Sequence, residues 1–413
     1  MSSFSLELLS EIAGGVDSEK ELRQLRAVNK IFNKIVSADA FRKLTVTPSV
    51  KSARGLLNIL NMPELIVHVQ EIEFVEEEAE QSQGSEDGAS SDASESEVGG
   101  DGEGEASAKD QDPTTAKEIL AEAYALLHLA PSLHTLTFKF SSTFTEDEGD
   151  EDEDSGELLI PSDSLLLHWA ILGAIANNPH PLPKLRTLTL DNFLQHRNDL
   201  FDTPHFAAIV RGLHHLHLNF LGDDEMEGAT LQQPLEDFWE QAQERLLRPA
   251  VELRSLHLES NIEIGSVPEV VFARLTYPHL QSVYFRNVLF YGLYPDPVTD
   301  GAEDFIARHG KTLRKLELHQ CSIFYEWEEA PARFWATIWR RFTEELEVLS
   351  ELVVEFEQDE GTRSHPELRY SLLSDGIGYI KQDEDIPGEE DDREALDALK
   401  AHVGTSGRRI YSR

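Results

Sequence analysis

Histidine is the residue type that most invites chemistry in this chain: there are 16, with His214, His215 and His217 together and His257 and His319 further on. Side chains two apart in an extended segment share a face, so a strand here projects His215 and His217 together. With His257 on the adjacent strand, a zinc site is geometrically conceivable. The other reading is a set of ordinary polar positions on a binding face. No carboxylate or Cys completes a recognised ligand pattern, so no metal and no cofactor is assigned.

Other routes to catalysis are closed more directly. There is no Gly-x-Ser-x-Gly nucleophile turn and no Gly-rich loop carrying Lys and Ser/Thr. Gly100-Asp101-Gly102-Glu103-Gly104 has glycine spacing, but it follows no strand and its carboxylates repel phosphate. Acidic residues come in runs rather than as an isolated buried pair, so the glycosidase arrangement is absent. No catalytic residue is assigned, and the chain is expected not to be an enzyme. The single Cys321 excludes an intramolecular disulfide framework.

The elements that must position these residues are set by charge and periodicity. The chain has 413 residues, 36 Lys+Arg and 77 Asp+Glu, for a formal net charge of −41. Residues 76–113 hold 14 acids and one Lys, residues 146–157 nine acids and no base, and residues 383–394 eight acids and Arg393. These three stretches carry 29 of the net negative charges, so the rest of the chain is only mildly acidic. Runs so charged and so poor in apolar residues are expected to be flexible, disordered insertions. Ser94 and Ser96, set among acids, suit an acidophilic kinase; a plain solubilising linker is the alternative. Such acidity argues against nucleic acid and against an anionic membrane as partners. The N-terminus lacks the pattern of a signal peptide, and Leu165–Ala176 is too short to span a bilayer. A cytoplasmic and/or nuclear location is expected.

Outside these runs, helical and strand patterns alternate. Residues 5–14, 19–28, 29–37 and 51–61 read as helices, 69–74 as a strand, and a helix begins at Pro113. From there a motif recurs: Leu, two residues, an apolar residue, one residue, an apolar residue. Copies start at Leu133, Leu185, Leu213, Leu253, Leu280 and Leu313, with a weaker one at Leu349 and a match at Val69. Spacings from Leu133 on are 52, 28, 40, 27, 33 and 36 residues, several of them above the usual leucine-rich period of about 20–29. Each gap holds a helix candidate: 163–177, 203–211, 234–248, 267–275, 301–309 and 331–347. Phe334, Trp335, Ile338, Trp339 and Phe342 form the apolar stripe of the last of these.

A strand and a return helix cannot bury their apolar face alone, so neighbouring units stack and their strands line one curved sheet. The motif's apolar positions then point inward and the residues between them outward, onto a concave face. Those outward positions include Thr187, Thr189, His215, His217, Ser255, His257, Tyr284, Arg286, Lys315, Glu317 and His319. Substrate contacts are expected on His215, His217, His257, Tyr284, Arg286, Lys315, Glu317 and His319. Leu258-Glu-Ser-Asn261 and Leu318-His-Gln-Cys321 continue the motif as leucine-rich repeats do, which gives Cys321 a structural role, bonded to backbone within the array, rather than that of a nucleophile.

The N-terminus resembles an F-box of the fungal type. The residues that carry the resemblance are Phe4–Ile12, Leu22–Phe32 and the strand-like Phe41–Val46; Phe4 and Ser5 stand where the family usually has Leu-Pro. Most of the chain thus resembles a fungal F-box protein with C-terminal leucine-rich repeats. That implies an α/β fold: a short N-terminal helical F-box, then an irregular leucine-rich-repeat solenoid of strand–helix units in a curved horseshoe, with acidic disordered insertions. The expected layout is an F-box-like segment over 1–46, a first repeat-like unit over 47–75, the acidic insertion 76–113, the solenoid over 114–380 and an acidic linker with a C-terminal helix or tail over 381–413. The resemblance further implies a substrate-recognition subunit of a Skp–cullin–F-box ubiquitin ligase. The Skp adaptor, and through it a cullin, would be partners, with adaptor contact on Phe4, Leu6, Leu8, Ile12, Val28 and Phe32. The repeats would hold an unknown protein substrate. The alternative is a leucine-rich-repeat interaction scaffold whose F-box does not engage the ligase.

Overall fold

The computed structural model describes residues 11, 14–16, 18–28, 30–76, 113–142, 163–180, 182–222, 232–265, 269–290, 301–325, 333–355, 370–374, 378–381, 388–405 and 409–410. The acidic tract 146–157 and most of 76–113 lie outside them. No helix among them is long and apolar enough to cross a membrane.

The protein is a mixed α/β solenoid with a helical N-terminal region and a long parallel sheet. The strands in chain order are β1 (Lys43–Val46), β2 (Glu71–Val75), β3 (Thr135–Lys139), β4 (Thr187–Leu194), β5 (His215–Leu221), β6 (Ser255–Ile264), β7 (Ser282–Val288), β8 (Lys315–His319), β9 (Ile323–Tyr325), β10 (Glu351–Glu355), β11 (Tyr370–Ser374), β12 (Gly378–Lys381) and β13 (Arg409–Ile410). Ten of them form one sheet in the order β1-β2-β3-β4-β5-β6-β7-β8-β10-β13, while β12-β11-β9 make a small second sheet. All pairings in the large sheet are parallel.

The recurrent motif sets the register. Leu136, Leu188, Leu216, Leu256, Val283, Leu316 and Leu352 lie side by side across successive strands. These positions, and the motif's first leucines, are buried in one apolar core running from Leu22 to Val403. Return helices cover that face. Pro113–Ala125 packs on Val50–Leu60 and on Asp163–Ala176, and the last in turn touches Pro204–Arg211. Helices need about 8–10 Å of lateral room and strands about 4.8 Å, so a stack of both curves with the strands inside. The chain bends through left-handed residues at Asn192, within β4 where its register shifts, at Asn287 near the end of β7 and at Gln320 just after β8, with φ of 55°, 56° and 53°. The side-chain amides of Asn192 and Asn287 donate to Phe140 O, just past β3, and to Ser260 O on β6, which ties each bend to its neighbour.

Three expectations are corrected. The segment 267–275 is not a helix; its described part makes only a single 3-10 turn at Phe272–Arg274. The helix from Gln232 ends at Ala242 and continues as a π turn over Gln243–Leu247. Asn261 is exposed and bonds backbone of the neighbouring unit. Its amide exchanges hydrogen bonds with the Gly222 backbone at 2.6 and 2.7 Å, whereas Cys321 is buried with Sγ 3.5 Å from Phe285 O and from His319 O. The acidic run 383–394 is not wholly a linker: from Glu389 it is the start of helix Glu389–Thr405, which packs along Trp335–Glu345. Four carboxylates in its first turn suit the positive end of the helix dipole. Of the anticipated strand Phe41–Val46, Lys43–Val46 is the sheet's first strand and residues 41–42 form a turn before it, so the helical segment and the repeats share one sheet.

Candidate functional site

Alternation along the strands turns the positions between the core residues onto the open face, and the parallel register aligns them into rows. One row runs Thr187, His215, Ser255, Ser282, Lys315 and Glu351 across β4 to β10. The next runs Thr45, Glu73, Thr137, Thr189, His217, His257, Tyr284, Glu317 and Val353 across β1 to β10. The third holds Asn219, Glu259, Arg286, His319 and Glu355.

At the centre the rings stack. His217 lies 3.6 Å from His257, His257 lies 3.7 Å from Tyr284, and Tyr284 lies 4.6 Å from His319, with interplanar angles of 20°, 12° and 23°. The four rings make a continuous partly buried ladder across β5 to β8. Carboxylates frame it. Glu259 accepts from His257 Nε2 and from Arg286 Nη1, each at 3.0 Å. Lys315 Nζ sits 2.6 Å from Glu317 and 3.1 Å from Glu351, and His319 lies between Glu317 and Glu355. Towards the N-terminal end, Lys43 and Lys139 clasp Glu73 at 2.7 and 2.9 Å.

The electrostatics follow. Burial pushes the His217 pKa down, the neighbouring His257 pushes the same way, and together they outweigh Asp191 and Glu259 to leave it at about 4. The imidazole is therefore neutral near neutral pH. Burial pushes the Glu259 carboxyl up, but the His257 hydrogen bond and the Arg286 charge hold it below its usual value. His319 and then Lys315 hold Glu317 low against burial. Burial and then Glu259 raise the Tyr284 phenol, which keeps it protonated.

All eight positions expected to touch substrate lie in these rows. His217, His257, Tyr284 and His319 form the stack, and Arg286, Lys315 and Glu317 form its ionic frame. His215 lies on the same strand but in the adjoining row, opposite Ser255 and exposed, and it does not join the histidine pair. Sequence reasoning missed Glu259, the carboxylate that accompanies His217 and His257. The signal was present, since alternation continues two residues past His257. Of the positions expected to bind an adaptor, Phe4, Leu6, Leu8 and Ile12 lie outside the described residues. Val28 is 66% exposed, Phe32 is buried at 8%, and the exposed neighbour of Phe32 is Ile31 at 47%.

A second polar cluster resembles a hydrolytic triad in composition only. Ser164 Oγ lies 3.3 Å from His168 Nε2, and Glu76 lies 3.7 Å from that same nitrogen. A relay needs the carboxylate on Nδ1 and the hydroxyl on Nε2. His168 Nδ1 is buried without a hydrogen-bond partner among the described residues, so these residues form no relay; they pin together the chain around Glu76, Ser141 and Ser164.

No family model matches the chain, and no curated protein matches it. Among solved structures the chain is similar to one in the crystal structure of the Rad7 and Elc1 complex in yeast. The identity is 13% and the TM-score 0.27, over 88% of this chain and 90% of that chain.

Proposed function

We propose that this protein is the substrate-recognition subunit of a Skp–cullin–F-box type ubiquitin ligase, cytoplasmic and/or nuclear, and itself non-catalytic. The observation that carries the reading is the join of two parts. A helical pair, Glu19–Val28 and Lys30–Ala40, exposes the large apolar side chains Val28 and Ile31. It feeds directly into a curved sheet whose polar rows are arranged as a recognition face. Exposed apolar residues on a short helical module suit a partner that completes its core. The repeats would hold the substrate near the charged enzyme and so raise its effective concentration.

Adaptor capture tests this. The full chain is expected to retain a purified Skp adaptor, and Val28→Asp with Ile31→Asp is expected to weaken retention at least tenfold. Both side chains are exposed, so the variant keeps its fold by circular dichroism. Undiminished capture by this variant would move the interface elsewhere. Failure of the unmodified chain to bind the adaptor would favour the repeat scaffold that does not engage the ligase.

A further inference from the structure

We infer that His217, His257 and Glu259 form a site for a zinc-like divalent transition metal at the centre of the concave face. Among the described residues this is the group of His, Cys and acidic side chains whose donor atoms come together, all within 4.8 Å of one another. The three come from a rigid frame. His217 and His257 are register partners on β5 and β6, and Glu259 follows His257 on the same face of β6. Two imidazole nitrogens and one carboxylate are a donor set that suits zinc, and they leave a position for water or a partner's side chain.

Two further features fit an ion. The His217 imidazole makes no hydrogen bond among the described residues, although the residue is partly buried. Arg286 holds one Glu259 oxygen at 3.0 Å and so orients the other, Oε2, towards His257. Ligating carboxylates are commonly held by such an outer contact. Without an ion, the His257–Glu259 hydrogen bond occupies the place of one metal bond. Capture requires the His217 ring to turn out of its 3.6 Å stack on His257, because parallel rings cannot both aim a lone pair at one ion. The inference goes beyond the ligase reading: metal binding is measured with the chain alone and does not depend on the adaptor.

The test titrates Zn²⁺ and Co²⁺ into full-length protein stripped with a chelator. One equivalent is expected to bind, and the cobalt form is expected to show the visible bands of four-coordinate Co²⁺. His217→Ala and Glu259→Gln should each weaken binding at least tenfold, while His215→Ala leaves it unchanged. Histidine ring NMR on the unmodified chain gives a second measurement that needs no variant: His217 and His257 should shift together on adding Zn²⁺, and His215 should not. Metal held by the acidic tracts would survive His217→Ala and leave both ring signals unmoved. That outcome, or the absence of stoichiometric binding, overturns the inference.

Discussion

Asp392→Ala should destabilise the C-terminal end of the solenoid by about 2–4 kcal/mol, although Asp392 sits in a run that reads as solvated acid. Its side chain is fully buried. One carboxylate oxygen accepts the Ala336 backbone N–H and the other accepts the Tyr370 hydroxyl, each at 2.6 Å; Tyr370 Oη in turn accepts the Trp335 N–H at 3.2 Å. Phe334, at the N-cap of helix Trp335–Glu345, offers no side-chain acceptor, so two other segments satisfy the donors that every helix start leaves open. Hydrogen bonds to a charged group contribute about 1.5–3 kcal/mol each, and relief of a buried carboxylate offsets part of the loss. Asp392→Asn keeps an acceptor for Ala336 and should cost under about 1 kcal/mol. Burial raises the Asp392 pKa in the folded chain, with Tyr370 and Ala336 opposing. A raised carboxyl favours the folded state at low pH and loses that contribution as pH rises through the folded pKa. The relative cost of Asp392→Asn should therefore shrink as pH rises. Guanidinium unfolding followed by tryptophan fluorescence reads the site directly, because Trp335 is buried beside it and stacks on Trp339 at 4.7 Å. Repeat arrays can unfold in parts, so circular dichroism is recorded in parallel to separate local from global loss. A fluorescence midpoint in Asp392→Ala equal to that of the unmodified chain refutes the cap.

Gly310→Ala should cost at least about 2 kcal/mol by backbone displacement, because a Cβ there would sit 2.0 Å from Glu345 O. An unchanged thermal midpoint would show that the close approach is not real. His217 should make stability pH-dependent: burial lowers its pKa from 6.5 to about 4, so the unfolded chain takes up the proton first. Stability is then lost as pH falls from about 6.5 to about 4, at up to about 1.4 kcal/mol per pH unit. His217→Asn should flatten that part of the profile in denaturation midpoints taken at several pH values, and an unaltered slope would place the titration elsewhere.

The fold was legible where a local rule repeats. Leu216 and Leu256 follow the same motif as Leu188 and Leu316, so copying one strand's inside-outside assignment to the next yields the sheet, its register and its buried rows. The stripe Trp335, Ile338, Trp339 and Phe342 has helical spacing, and all four are buried in one helix. It failed where a contact between distant segments decides the outcome. Asp392 reads as one acid among eight, and what buries it is the amide of Ala336 and the hydroxyl of Tyr370, neither close in sequence. Residues 267–275 have the length expected of a return segment, but their described part turns only at Phe272–Arg274, where Phe272 packs on Phe285 and Phe305.

The concave face lies between these two cases, and the reason is geometric. Register makes the position before the motif's last apolar residue a row, so His217, His257 and Tyr284 are neighbours in space although many residues separate them in the chain. The packing rule that fixes the row does not choose its occupants, since Thr189 and Glu317 hold the same position equally well. Stability therefore does not account for three aromatic or imidazole rings in succession there. Each stacked pair adds about 0.5–1.5 kcal/mol at most beyond area burial, while the lowered His217 pKa shows burial working against the charged ring. A row that the core does not demand, built from rings and framed by Glu259, Arg286, Lys315 and Glu317, is where selection for binding has freedom to act. That freedom makes the β5–β8 segment, rather than the threonine-bearing β3–β4 segment, the place where substitutions should change what the protein holds without changing how it folds.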